Sequence, residues 1–376
     1  MSAGARWPAG LAVTALVLSS PSPVLAAPEP RKELYWFHWW ELEEKVWPIT
    51  KGKGVTVAVI DAEVNRDLPD LKGSVLPNVN LNETREKADP ENGGHGTAMT
   101  ALIVGQGRGS GMVGVAPAAK VLPLNAKGEI AEARALRYAA DHGAKVINMS
   151  LGAETFQPCP RSVQDAVSYA VKRDAVVVAS AGNEGRRGDW RSSPANCAGV
   201  VAVGGVDGYV KPWGGTTPGE YVTAAAPSVD AGSIDDRGQF NWRRYGTSQS
   251  AALTSGVITL IRSKYPRMSA REVVRRVIAT AKDIGKPGWD DETGYGLVRP
   301  YRALVDRVPP NVPNPVYDRW QSIQTEDERL PPSQSKRVSA SPEPEKEAWI
   351  RLTAASLSIA LLVFFASTFW FIRKRR

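Results

Sequence analysis

The chain reads as an α/β protein built on a mainly parallel sheet, and three observations lead there. The runs Val55–Ile60, Val113–Ala116, Val121–Leu124, Val146–Met149, Val176–Ser180 and Val200–Val203 are short, apolar and rich in Val or Ala. Strands covered on both faces look like this, whereas a one-sided sheet would alternate apolar and polar residues. Between the runs lie helical stretches, Glu129–Asp141 closed by Gly143, and Ser162–Arg173. Strand, helix and strand in succession imply parallel pairing with helices on both faces. Ser269-Ala270-Arg271-Glu272 has the form of a capping box and opens a last helix running to about Lys282. No repeat of roughly 20 to 50 residues is visible.

Composition agrees with one large core. Of 376 residues 43% are hydrophobic and 23% charged, with 34 Gly and 28 Pro, which excludes a wholly disordered or collagen-like chain. The formal net charge is +8, but Arg373, Lys374, Arg375 and Arg376 supply half of it, so no basic face for nucleic acid is called for. Three histidines (His38, His95, His142) and two cysteines (Cys159, Cys197) are too few for a structural zinc site of the usual spacing. Any histidine chemistry must use one of those three.

Both ends read as membrane machinery. Arg6, the apolar stretch Leu11 to Leu18 and Val24-Leu25-Ala26 give residues 1–26 the form of a secretory signal. From Leu352 to Ile372 there are 21 residues without a charge. At ~1.5 Å each they reach ~32 Å, enough to cross a ~30 Å hydrocarbon layer. A transmembrane helix is expected at 350–372, with Trp349 and Trp370 at interfacial depth and the basic tail 373–376 in the cytoplasm. The body of the protein then faces outward. A Pro-rich stretch at 309–349, lacking helical or alternating period, reads as a stalk, and 27–45 as a short N-terminal extension. In an exported chain the two cysteines read as one disulfide; joining Cys159 to Cys197 stabilises such a loop by ~2–4 kcal/mol.

In open parallel sheets ligands sit beyond the carboxyl ends of the strands, so the polar residues that follow the apolar runs are the place to look. Asp61 ends Val57-Ala58-Val59-Ile60 and is placed to orient a histidine and stabilise its cation. His95 stands among glycines in Gly93-Gly94-His95-Gly96-Thr97, close to other backbone with its ring accessible, as a general base requires. Ser248, in Gly246-Thr247-Ser248-Gln249-Ser250, opens the apolar helix Leu253–Ile261, where the free amides and dipole of a helix N-terminus favour an oxyanion. Asn183, in Ser180-Ala181-Gly182-Asn183-Glu184-Gly185, carries an amide that can donate to that oxyanion. Each residue alone also has a bland reading: a turn aspartate, a loop histidine, a helix cap, a left-handed asparagine.

Taken together and in this order, Asp61, His95, Asn183 and Ser248 resemble the subtilisin-like serine proteases, in which the triad runs Asp, His, Ser. Pro69-Asp70-Leu71, Gly114-Val115-Ala116-Pro117, Asn148-Met149-Ser150-Leu151-Gly152 and Gly294-Tyr295-Gly296-Leu297 extend the resemblance over 46–308. It implies a subtilisin-like three-layer fold and hydrolysis of polypeptide substrates through an acyl-enzyme, with no cofactor and no catalytic metal. It also implies that Ser150, Leu151 and Gly152 offer backbone to an extended substrate, while Ala179, Ser180, Ala181 and Gly182 wall the specificity pocket. Signal, stalk and anchor together are most similar to the mycosins, membrane-anchored subtilases of type VII secretion, and imply secretion-system components as partners.

The sequence departs from the family pattern in three places. Ala62-Glu63 follow Asp61 where Ser/Thr-Gly is usual, Leu68 replaces a histidine, and Ala252 replaces a proline four residues after the serine. Glu63 is the feature that favours the alternative, a catalytically silent subtilase-like scaffold that binds or props a secretion complex. Residues 109–114 fit GxGxxG, but they precede an apolar run, the reverse of a dinucleotide fingerprint. The residues from Leu34 to Trp40 (Leu34, Tyr35, Trp36, Phe37, Trp39 and Trp40) are expected to pack on the body and not to form a removable chaperone.

Overall fold

Buried Val-rich runs become strands here because both faces find a helix. The computed structural model describes residues 29–83 and 94–329; the signal at 1–26, the anchor at 350–372 and the tail at 373–376 lie outside the described residues. Strands β1 (Thr56–Asp61), β2 (Val79–Asn80), β3 (Lys120–Asn125), β4 (Val146–Met149), β6 (Val176–Ser180), β8 (Val200–Val206) and β9 (Val222–Pro227) form one seven-stranded sheet in the order β2-β3-β1-β4-β6-β8-β9. All of its pairings are parallel. Two small antiparallel ribbons flank it, β5 (Ala153–Thr155) with β7 (Arg191–Ser193), and β10 (Ser233–Ile234) with β11 (Phe240–Asn241).

The helices are α1 (Tyr35–Trp39), α2 (His95–Val104), α3 (Glu129–Asp141), α4 (Arg161–Lys172), α5 (Thr247–Lys264), α6 (Ala270–Thr280), α7 (Pro300–Val305) and α8 (Pro315–Arg329). From β1 the chain passes through α2 to β3 on one side, then through α3 to β4 and α4 to β6 on the other. Right-handed crossovers therefore place α2 on the face opposite α3 and α4. The packing agrees: α2 lies against α5, and α3 against α4. Helix α5 is the buried axis of the molecule. Several of its buried hydroxyls are satisfied internally, Ser250 Oγ donating to Ala226 O at 3.0 Å and Thr259 Oγ1 to Ser255 O at 2.8 Å. The Ser269 capping box of α6 is present in both directions.

Three expectations are corrected. Val113–Ala116 is not a strand. Its amides turn back on the end of α2, with Gly114, Val115 and Ala116 donating to the carbonyls of Gly105, Leu102 and Ile103, so the run is spent capping a helix. The stretch 309–349, read as an extended stalk, contains α8 over Pro315–Arg329, while 330–349 lies outside the described residues. Val316 and Tyr317 are buried and Trp320 donates from Nε1 to Ser168 Oγ at 3.2 Å, which docks α8 beside α4. Pro315 occupies the first helical position, where its missing N–H is harmless. The third concerns Trp39: Leu34, Trp36, Phe37 and Trp40 join the core and Tyr35 donates to Val229 O at 2.8 Å, but Trp39 is 37% exposed. In the glycine segment 109–114, Asp70 accepts from the amides of Gly109 and Ser110, filling with a carboxylate the place a phosphate would take.

Candidate active site

Strand order reverses at β1, whose two neighbours are β3 and β4, and a crevice opens there beyond the carboxyl ends. Asp61 is the last residue of β1, Ser150 follows β4, and Ala181 follows β6. Helices α2 and α5 bring His95 and Ser248 to the same end from their first turns.

Asp61 is 4% exposed. Its Oδ1 accepts from Ala62 N at 2.7 Å and faces His95 Nδ1 at 2.8 Å, with Oδ2 at 3.0 Å from the same nitrogen. A carboxylate at Nδ1 fixes the tautomer that carries its proton there and leaves Nε2 free to accept. The carboxylate charge of Asp61 raises the pKa of His95 above the ordinary histidine value; burial and the Arg244 cation act against it. Glu63 is exposed to solvent and takes no part in this pair, while Gly96 closes on the segment after Asp61: a Cβ there would lie 2.2 Å from Ala62 O. That approach to the backbone leaves room only for glycine at position 96.

Ser248 is held by a buried polar chain. Its Oγ donates to Ser150 O at 3.0 Å, and Ser150 Oγ donates back to Ser248 O at 2.9 Å. Asn148 Nδ2 donates to Ser150 Oγ at 2.9 Å, and Ser255 Oγ, about two turns further along the same face of α5, donates to Asn148 Oδ1 at 3.0 Å. Asn183 Oδ1 accepts from Thr247 N at 2.9 Å and lies 3.0 Å from Thr247 Oγ1, so the Nδ2 end of the amide is left as a donor. Gly246, with φ +143°, lets the chain enter α5 this close to Asn183; a Cβ would meet its carboxamide at 3.6 Å and Gln249 Oε1 at 3.1 Å. The Ser248 N–H, in the first turn of α5, needs no helical partner.

Leu151 is half-buried and Gly152 exposed, while Ala179, Ser180 and Ala181 are buried and Gly182 is partly open. Ser180 Oγ donates to Leu151 O at 3.3 Å, joining the two segments at their base. Between them stands a residue that sequence reasoning missed. A Cβ on Gly152 would lie 2.5 Å from Ser192 Oγ, and one on Gly182 3.1 Å from Ser192 Cβ, so Ser192 floors the gap. Tyr221 accepts from Ser192 N at 3.1 Å and braces that floor. Thr247, Asn148 and Ser255 were also missed as participants. Asn148 and Thr247 lie inside quoted motifs, but nothing in the sequence tells which atom each would hold. Cys159 and Cys197 form a disulfide with Cα atoms 4.9 Å apart, tying the entry of α4 to the turn after β7.

Comparison with known proteins agrees with this architecture. The model of the subtilase family, peptidase S8, matches residues 52–296, well over half of the chain, and the chain belongs to that family. Among its relatives, mycosin-3 of Mycobacterium tuberculosis is 33% identical over 331 residues, covering 70% of this chain and 70% of mycosin-3. Fervidolysin of Fervidobacterium pennivorans is 30% identical, covering 72% of this chain but 44% of fervidolysin; against such relatives the chain spans less than half their length. Among solved structures, MycP1 of Mycobacterium smegmatis superposes with a TM-score of 0.66 at 26% identity, over 75% of this chain and 86% of that one. The MycP3 protease from the type VII (ESX-3) secretion system gives 0.63 at 30% identity, over 76% and 90%.

Proposed function

We propose that this chain is a membrane-anchored, extracytoplasmic serine endopeptidase acting in a type VII secretion system. The observation that carries the catalytic part is the Asp61–His95 pair at the end of β1, opening on the crevice that Ser248 enters from α5. Ser248 Oγ turns from Ser150 O to His95 Nε2, giving up one neutral hydrogen bond worth ~0.5–1.5 kcal/mol, a small term against a catalytic barrier. It attacks the peptide carbonyl while His95 takes its proton, and Asp61 stabilises the imidazolium. Asn183 Nδ2 and the Ser248 N–H receive the oxyanion. His95 returns the proton to the leaving amine, and water then opens the acyl-enzyme by the same relay. The backbone of Ser150, Leu151 and Gly152 pairs with the substrate as an added strand, and Ala179 to Gly182 with Ser192 accept the side chain before the scissile bond.

Export, anchoring and the secretion link rest on the apolar stretches at both ends and on the likeness to mycosins. Among the described residues no helix is long and apolar enough to cross a membrane. A fluorophosphonate probe tests the chemistry: it labels the parent chain and not Ser248→Ala. A folded but unlabelled parent supports the silent scaffold instead. Carbonate extraction of the full chain against one ending at residue 349 tests the anchor; release of both to the same extent speaks against it.

A further inference from the structure

One charged side chain on the rim of the crevice takes no part in the chemistry above. Arg244 lies four residues before Ser248, in the segment that leads from β11 into α5. It is half-buried, its Nε is shielded from solvent without a hydrogen-bond partner, and its guanidinium forms no ion pair among the described residues. A guanidinium desolvated this far normally has a carboxylate against it. The negative charge that reaches it is that of Asp235, in the turn between β10 and β11. That turn rests beside His95: a Cβ on Gly94 would meet Asp236 N at 2.6 Å, and Asn65 Nδ2 donates to Asp236 O at 2.7 Å. The Arg244 charge is felt at His95 itself.

The opposite flank carries two neighbouring carboxylates. Beyond Gly152 stands Glu154 and beyond Asn183 stands Glu184; burial and the neighbouring Glu184 carboxylate raise the pKa of Glu154. Arg244 leads into the first turn of α5 on the side of His95, the group that hands its proton to the leaving amine. We infer that Arg244 recognises an acidic side chain of the polypeptide on the leaving-group side of the scissile bond. The fork of an arginine pairs with a carboxylate through two parallel hydrogen bonds, which fixes register as well as charge. This specificity rests on the hydrolytic reading above.

The test uses the full chain and peptides that differ only in one of the first three residues after the scissile bond, which is Asp, Asn or Lys. At one of these positions the parent prefers Asp to Asn by about tenfold or more in kcat/KM, as expected of a charge-assisted pair. Arg244→Gln brings that ratio close to one, and Arg244→Glu turns the preference toward Lys. A parent ratio near one at all three positions, or a ratio unchanged in Arg244→Gln, overturns the inference. Binding of the same labelled peptides to Ser248→Ala, with and without Arg244→Gln, gives a second readout that needs no cleavage. Equal affinity for Asp and Asn peptides there also overturns it. If the probe fails to label Ser248, the hydrolytic reading falls, and the binding ratios still decide for or against Arg244.

Discussion

Ser150 and Ser248 exchange two hydrogen bonds, each hydroxyl donating to the carbonyl oxygen of the other, at 2.9 and 3.0 Å. The exchange ties the edge that follows β4 to the first turn of α5, so the candidate nucleophile and the segment proposed to pair with substrate share one rigid reference. Ser150→Ala removes one of the two bonds and leaves buried Asn148 Nδ2 without its acceptor. An unsatisfied buried donor costs ~1–3 kcal/mol, and the urea midpoint should fall accordingly. Turnover should fall with it, because Ser248 keeps its own bond to residue 150 but loses the restraint on its backbone. An Ser150→Ala protein with parent stability and parent kcat would show that the exchange is incidental.

The Asp61 carboxylate raises the pKa of His95, and general-base work needs the neutral ring. Cleavage at low substrate should therefore rise with pH through a value above that of an ordinary histidine, then level off. Stability moves the other way. A histidine whose folded pKa is raised adds its stabilisation in full below the unfolded value and loses it as pH rises through the folded one. Asp61→Asn should lower activity by about 10⁴-fold through the wrong tautomer and shift the acid limb to lower pH. An acid limb that stays in place would show that another group sets it.

Thr247 orients the amide that is to receive the oxyanion, through its N–H and hydroxyl against Asn183 Oδ1. Thr247→Val keeps the backbone donor and the shape but removes the hydroxyl. It should lower kcat by about tenfold with little change in KM, and Thr247→Ser should restore it. Asn183→Ala, which removes the donor itself, should cost ~10²–10³ in kcat. If Thr247→Val raises KM alone, the hydroxyl serves substrate binding and not the oxyanion.

How much of this could be read from the residues depends on how far apart in sequence the cause lies. The strands at Val146 and Val176 are legible because a doubly covered strand must be apolar throughout, and Asp61 because it ends such a run. Strand β9, Val222–Pro227, is not legible, since Ala224-Ala225-Ala226 carries no strand preference of its own and is extended only by pairing with β8. Helix α8 has its stripe at Val316, Tyr317, Trp320 and Ile323, but the surrounding prolines mask it. Ser192 carries no local signal: it reaches the pocket floor because β7 pairs with β5, a ribbon whose partners lie far apart in the chain. Arg244 became notable only once the structure left it without a carboxylate.

The N-terminal segment belongs to the core and is expected to be indispensable to it. Leu34, Trp36, Phe37, Leu42 and Val46 are fully buried or nearly so, and Trp47 Nε1 donates to Val115 O at 3.0 Å, on the segment that caps α2. Arg31 reaches Ser110 O at 2.9 Å, so the strap is fastened at several points along the body. Truncating one large buried aromatic costs ~3–5 kcal/mol, about a fifth or more of the ~5–15 kcal/mol that holds a typical domain together. Trp36→Ala should lower the unfolding free energy by that amount. A chain starting at Lys53 should lose its near-ultraviolet circular dichroism and its probe labelling together, because α2, which carries His95, would lose the packing that supports its far end. A truncated protein that folds cooperatively and labels like the parent would show that the segment is a detachable cover.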